Sequence, residues 1–534
     1  MKNFKACLVS LLLTATVTTA TAGGILTNTN QSIDFLRNPA RDGAIGLDGV
    51  YSNPAGVAFL PEGFHLGVNW QMAFQTRTID TTNPLFVMGA KNNGETTKSY
   101  KGVANAPVIP SLQAAWNKGH WSFQFNFSVP GGGGKCEFDQ GLGSFETAVG
   151  GIAAKLQGTS AQLNKAMNLF DASVPNVTGY DADAYMKGNQ YYFGFQLGAA
   201  YKINKHLSVY GGVRVLYGTA SYEARLNNIR VMNGANSISL REYFTSVTKG
   251  FMTAKANGSD PVKLANYAGR LVAAGMTPAE AKATLDGASE QLNAAAPALE
   301  ASAEKLGQYA DNGMNLKSDQ SGWGIAPVLG IDYKIGAFNF AAKYEFKTRM
   351  RMKNNSDLEV AVIDATKKFV NGTSVPEDAP ALLTVGAQWS IIDNVRVNLG
   401  YHHFFDKQAH WYNHSEKLLK NNTNEFLFGA EWDIIKKLTV SAGGQITRYG
   451  LSDEYMNDMS FVVNSWSFGV GLNYQVAKKV KLKAAYFQTN YGNYDMDTPQ
   501  TLASIGSTNI TVPAGHNSFT RTNNVFGLGC DIDF

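Results

Sequence analysis

The chain has 534 residues, a formal net charge of +4, and 44% hydrophobic and 11% aromatic residues. That balance leaves no electrostatic footprint for nucleic acid, and no run of about 18 apolar residues follows the N-terminus to cross a membrane as a helix. Glycine (54), tyrosine (23) and phenylalanine (30) are abundant, a composition that suits an exported chain crossing a membrane with strands.

In chain order, Lys2 and Lys5 precede an uncharged run from Ala6 to Thr19 and then Ala20-Thr21-Ala22. A basic start, a short apolar run and an A-x-A site make residues 1–22 a secretory signal peptide. Cys7 lies within the run and not after a cleavage box, so no lipid anchor is read there. Cys136 and Cys530 are too few for a disulfide framework and are expected to be unpaired. The stretch from Gly43 to Leu60 has Asp48 as its only charge. It cannot make a core of its own, because too little apolar area leaves water to offset the ordering entropy. Asn53-Pro54 reads as a turn, since proline fixes its own φ and turns the preceding residue away from helix. Gly56 permits close backbone approach. Alone, such a stretch is a linker. Ahead of a barrel it is a plug, so residues 23–61 are assigned to an N-terminal lumenal hatch and 62–534 to the barrel.

Period-two alternation repeats from Phe64 onward. Val68, Trp70, Met72 and Phe74 alternate with Asn69, Gln71 and Ala73; Phe123, Phe125 and Phe127 alternate with Gln124 and Asn126. A soluble sheet covers its apolar face with a second layer. Here the other face is rich in Gly, Ser, Asn and Gln, which suits a lumen, with the aromatics facing lipid. The expected fold is all-β, a transmembrane antiparallel β-barrel of about fourteen strands. The strands start near Phe64, Val108, Trp121, Tyr191, Leu207, Gly324, Phe338, Leu382, Val395, Glu425, Leu438, Asn464, Val480 and Thr522. Tight turns such as Asn204–His206, Asp393-Asn394 and Lys478-Lys479 belong on the periplasmic side. Long connections, above all 131–189 and 222–321, belong outside. Two of these carry helical spacing: Ala148 to Phe170, with Ile152, Leu156, Leu163 and Met167 on one face, and Pro261 to Asn312. In the second, Thr277-Pro-Ala-Glu280 is a capping box with proline at the first helical position. Such helices cover one another at the barrel mouth or meet an apolar ligand.

With Asn53-Pro54-Ala55-Gly56 ahead of this barrel, Pro380 to Trp389 followed by Asp393-Asn394, and a terminal Phe534, the chain resembles the FadL/TodX family of outer-membrane transporters of hydrophobic compounds and long-chain fatty acids. The resemblance covers nearly the whole mature chain. It implies the outer membrane of a Gram-negative bacterium, contact with its lipid and lipopolysaccharide, and insertion by the barrel-assembly machinery, which reads the terminal aromatic. It further implies a fatty acid or other hydrophobic ligand entering through the outer loops, gated by a hatch that contains Asn53, Pro54, Ala55 and Gly56. Exit is then sideways, through a gap in the wall beside a kinked strand. Pro130 and Gly131 end the third expected strand and are the kink candidates, because proline and glycine break a ladder; the same Gly-rich run also serves as the start of a loop.

The driving force is burial, about 0.8 kcal/mol per CH₂, with Gly46, Gly49 and Gly56 as candidate pivots of the hatch. A carboxylate ligand needs a lumenal cation. Alternation places Arg214 and Lys343 on the polar face in mid-strand, either for that purpose or in a salt bridge with Glu345 or Asp332. An enzyme is not expected. There is no Gly-x-Ser-x-Gly elbow. The histidines His402, His403, His410 and His414 gather around one loop, but Tyr412-Asn413 favours a turn over the helix that a His410/His414 metal pair needs. Asp181-x-Asp183 lacks the remaining ligands of a calcium loop. No catalytic residue, metal ligand, cofactor or nucleic-acid partner is assigned. The alternative reading is a FadL-like barrel that docks or carries secreted proteins, which long outer loops would also serve.

Overall fold

Successive side chains of a strand point to opposite faces, and here the two faces are inverted relative to a soluble protein. In the computed structural model, which describes residues 27–312, 314–358, 368–505 and 508–534, Val68, Trp70, Phe74, Phe123, Phe426 and Phe428 are exposed. Asn69, Gln71, Gln124, Asn126 and Gln445 are buried between them. An apolar outer band around a polar interior is stable only where the outside is lipid. The signal peptide expected at 1–22 lies outside the described residues.

Fourteen antiparallel strands form the wall. They are β1 (Gly63–Thr82), β2 (Thr97–Lys118), β3 (Trp121–Phe138), β4 (Gly179–Lys202), β5 (Leu207–Asn233), β6 (Met314–Ile335) and β7 (Phe338–Glu345). The second half comprises β8 (Leu382–Ile392), β9 (Val395–Phe404), β10 (Asn424–Ile435), β11 (Leu438–Arg448), β12 (Ser465–Ala477), β13 (Val480–Tyr491) and β14 (Gly515–Asp533). Each pairs with its sequence neighbours, and β14 pairs with β1 to close the cylinder. Only β7 is short; its outward continuation is a separate strand, Arg351–Ser356, paired with β6. The expected starts on the tight-turn side match to within a residue. On the loop side three starts, near Leu382, Glu425 and Asn464, also match, and four strands begin earlier, at Thr97, Gly179, Met314 and Gly515. There the ladders run on past the lipid band, where nothing demands an apolar outer face and the alternation that marks a strand in sequence fades.

Outside the wall lie α2 (Gly143–Met167), α3 (Leu240–Ser259), α4 (Pro261–Ala273) and α5 (Pro278–Asn312). Ile152, Leu156, Leu163, Met167 and Phe170 are all buried in one apolar cluster over the barrel mouth, so the helices cover one another and the wall. The Thr277/Glu280 capping box forms as expected, with the Glu280 N–H donating to Thr277 Oγ1 and the Thr277 N–H to Glu280. α3 was not among the expected helices, although Ser239 and Glu242 form the same capping box. Cys136 and Cys530 are free.

Candidate functional site: the hatch, the broken wall and the lumenal crevice

Residues 27–61 fill the lumen. Their one α-helix, α1 (Ile33–Arg37), starts at Ser32, whose hydroxyl accepts from the Phe35 N–H. Its apolar side, Ile33, Phe35 and Leu36, packs on Ala73, Phe487 and Val525 of the wall. The charges of this segment sit against wall charges. Arg37 bridges Asp34 (2.7 Å) and Glu431 (2.8 Å), Arg41 bridges Asp48 (2.8 Å) and Glu431 (2.9 Å), and Asp34 meets Lys483. Asp42 receives His402 Nε2 at 3.0 Å. The sequence reading centred on Gly43 to Leu60 and passed over Asp34, Arg37, Arg41 and Asp42. Four charged residues just before a plug whose only charge is Asp48, facing a lumen that itself carries charge, were the signal.

Asn53, Pro54, Ala55 and Gly56 form the contact of the hatch with the β3–β6 side of the wall. Asn53 Nδ2 donates to Asp332 Oδ2 (2.6 Å) and to the Ala44 carbonyl (3.2 Å), while its Oδ1 accepts from the Gly56 N–H (3.1 Å). The Pro54 carbonyl accepts from Gln124 and the Ala55 carbonyl from Ser208. A Cβ on Gly56 would lie 2.5 Å from Asn53 Nδ2 and 2.9 Å from Asp332 Oδ2. Glycine is needed there for close approach. Gly46, Gly49 and Gly56 are not in the left-handed region, so their backbone conformation does not mark them as pivots.

Arg214 and Lys343 converge. Both contact Glu345, Lys343 Nζ at 2.6 Å from Oε1 and Arg214 Nη2 at 3.2 Å from the same oxygen. Gln196 Oε1 accepts from the Arg214 guanidinium, and the Tyr51 carbonyl accepts from Lys343. Both cations also lie over the Tyr51 ring, 5.0 and 4.6 Å from its centroid. Of the two salt-bridge partners expected, Glu345 is the one engaged; Asp332 is held by Asn53 and Asn339.

Pro130 and Gly131 sit where the wall breaks. The β2–β3 ladder runs through Leu112↔Phe127 and resumes only at Val103↔Glu137, so residues 104–111 and 128–136 have no partner in one another. Pro107 and Pro110 on β2 and Pro130 on β3 all fall within this stretch; without N–H groups they could not complete a ladder. Two prolines beside an alternating run were the sequence signal for the second side of the break. The start of the hatch lies in it. Thr27 bridges Gly131, the Asn28 N–H donates to the Pro130 carbonyl (2.9 Å), and Gln31 both donates to and accepts from the Val129 backbone. On the other side Ser111 Oγ donates to the Gln31 carbonyl at 2.6 Å. Behind this plug is a crevice lined by Tyr51, Pro130, Gly131, Tyr192, Arg214, Leu216, Glu345 and Phe346, and by Glu377 and Asp378 of an outer loop.

His410 and His414 stack with ring centroids 4.7 Å apart. Asn413 and His414 have φ of 52° and 55°, so the stretch turns as Tyr412-Asn413 suggested.

No protein-family model and no curated protein sequence matches the chain. Among solved structures, that of a Pseudomonas aeruginosa FadL homologue aligns with 96% of this chain and 100% of its own, at 12% identity and a TM-score of 0.54. The Pseudomonas putida toluene transporter TodX aligns over 96% and 100%, at 13% identity and a TM-score of 0.48. The chain therefore has the fold of the FadL homologue: a closed fourteen-stranded barrel with its N-terminal segment inside.

Proposed function

We propose that this protein takes up hydrophobic small molecules across the outer membrane by passive diffusion, with the N-terminal segment as the gate and the break between β2 and β3 as the exit. The observation that carries the reading is the position of Thr27 to Gln31, hydrogen-bonded to both sides of an opening that strands β2 and β3 leave unpaired. An apolar molecule gains free energy at each step from water to crevice to bilayer, so no energy source is needed. The same plug and the buried ion pairs of α1 keep water and polar solutes from following. Release then requires residues 27–31 to leave the break, which costs a handful of hydrogen bonds of about 1 kcal/mol each. The deeper ion pairs of Arg37 and Arg41 stay in place.

A cysteine lock tests this. Thr27 and Gly131 are partners in an antiparallel bridge, a separation a disulfide can span. In a background with Cys136 and Cys530 replaced by serine, the pair Thr27→Cys/Gly131→Cys should stop uptake of radiolabelled hexadecanoate or toluene by cells when oxidised and restore it when reduced. Unchanged uptake in the oxidised form would sink both the gate and the lateral exit.

A further inference from the structure

The crevice cations Arg214 and Lys343 share one carboxylate, Glu345. A second pair has none. Arg77 on β1 and Arg521 on β14 are direct cross-strand partners, on strand positions whose neighbours two residues away, Ile79 and Phe519, are buried on the lumenal side. Like charges so placed repel one another. Arg77 is only 8% exposed, its Nε is buried without a hydrogen-bond partner, and among the described residues it makes no ion pair. Arg521 reaches Gln75 Oε1 at 3.4 Å and lies 5.1 Å from the centroid of the Tyr491 ring; its Nε is also unpartnered. Elsewhere in the lumen Arg37, Arg41, Arg214, Lys343, Arg396 and Lys483 all face carboxylates. A buried guanidinium with no counter-charge is strongly unfavourable, so the pair costs stability in the ligand-free barrel and is relieved by a bound anion.

Arg77 also lines a pocket with Phe138, Leu142, Met186, Tyr222 and Met459 as its apolar walls. Asp458 shares the lining. Its carboxylate is engaged by the Ser144 N–H at 2.9 Å and makes no ion pair with Arg77. The cavity includes Gly134 and Cys136 of β3 and Gly188 to Gln190 of β4, a few residues further out than Pro130, Gly131 and Tyr192 of the crevice. The pocket thus lies at the outer end of the break in the wall.

We propose that Arg77 and Arg521 form a headgroup site for a carboxylate-bearing amphiphile, whose apolar body lies among Phe138, Leu142, Met186 and Met459. Two guanidinium groups offer the forked donors that a carboxylate accepts, and its charge relieves their repulsion. The site rests on the uptake reading and adds to it a place where charged and neutral ligands are told apart.

The test compares hexadecanoate with its methyl ester, binding each to purified protein in detergent. Arg77→Gln should weaken hexadecanoate by about tenfold or more and leave the ester within about twofold, and Arg521→Gln should act in the same direction. Thermal unfolding of the ligand-free forms gives a second reading: removing one of two repelling charges should leave Arg77→Gln at least as stable as the parent. Equal losses for acid and ester, an unchanged affinity for the acid, or a marked fall in ligand-free stability would each overturn the headgroup site while leaving uptake standing. If neither ligand binds the parent protein, uptake itself fails, and the site with it.

Discussion

At the scale of single residues, Asn53 has the most to lose. Its amide connects the hatch turn to Asp332, and its carbonyl holds the Gly56 N–H. Asp332 is buried with Oδ1 already unpartnered, so removing Asn53 leaves that carboxylate with Asn339 alone. Asn53→Ala should therefore cost about 1–3 kcal/mol, read as a shift in the urea midpoint of the barrel refolded in detergent, with unchanged m. A loss below about 0.5 kcal/mol would mean that the hatch turn is held by its backbone contacts to Gln124 and Ser208. The sequence picked Asn53 out through the proline that follows it, because turn chemistry is local. It did not pick out Asp34, Arg37 or Arg41, whose role depends on wall residues hundreds of positions away.

At the scale of elements, β3 shows how a strand can be broken on one side and kept on the other. Its ladder to β4 survives through Gly131 and Gly134 with two register shifts, and the slack is taken up by Gly132 and Gly134 at φ of 104° and 68°. A Cβ on Gly132 would lie 2.2 Å from the Gln190 carbonyl oxygen. Gly132→Ala thus combines a left-handed backbone with a backbone clash and should cost about 2 kcal/mol or more. Gly119, at φ of 59° with nothing within 4 Å of a Cβ, provides the comparison: Gly119→Ala should cost about 1 kcal/mol. Equal losses in urea unfolding would show that β3 does not press on β4 at the break. Composition revealed that something interrupts Val129 to Gly134. That the interruption opens toward β2 and not β4 follows from Pro107 and Pro110, which gain meaning only once β2 is known to be the neighbour.

At the scale of the whole molecule, solvent decides the architecture. Phe428 on β10 points outward, and its ring covers Gly444 on β11. In a bilayer, Phe428→Arg should cost about 2–4 kcal/mol, the penalty for a cation near the midplane of the lipid face. Phe428→Leu should stay within about 1 kcal/mol, because lipid fills the shape that a packed protein core would leave empty. Equilibrium unfolding from lipid vesicles measures both, and a large loss for leucine would argue that this face is packed against protein. Inside, the order is reversed: ion pairs join Arg37 and Arg41 to Glu431 and Asp42 to His402, while Thr27 to Gln31 meet the wall through hydrogen bonds.

The sequence by itself determined the faces of the alternating runs, the strand starts at the tight turns and the Thr277 cap. Each of these follows from spacing along the chain, and spacing is local. The tertiary structure alone decided which charges meet. Arg214 and Lys343 share Glu345, while Arg77 and Arg521, near opposite ends of the chain, stand side by side without an acid because β14 closes onto β1. Alternation says that a side chain faces the lumen; the lateral register between distant strands says what it faces there, and that register is set by barrel closure, which no single segment encodes.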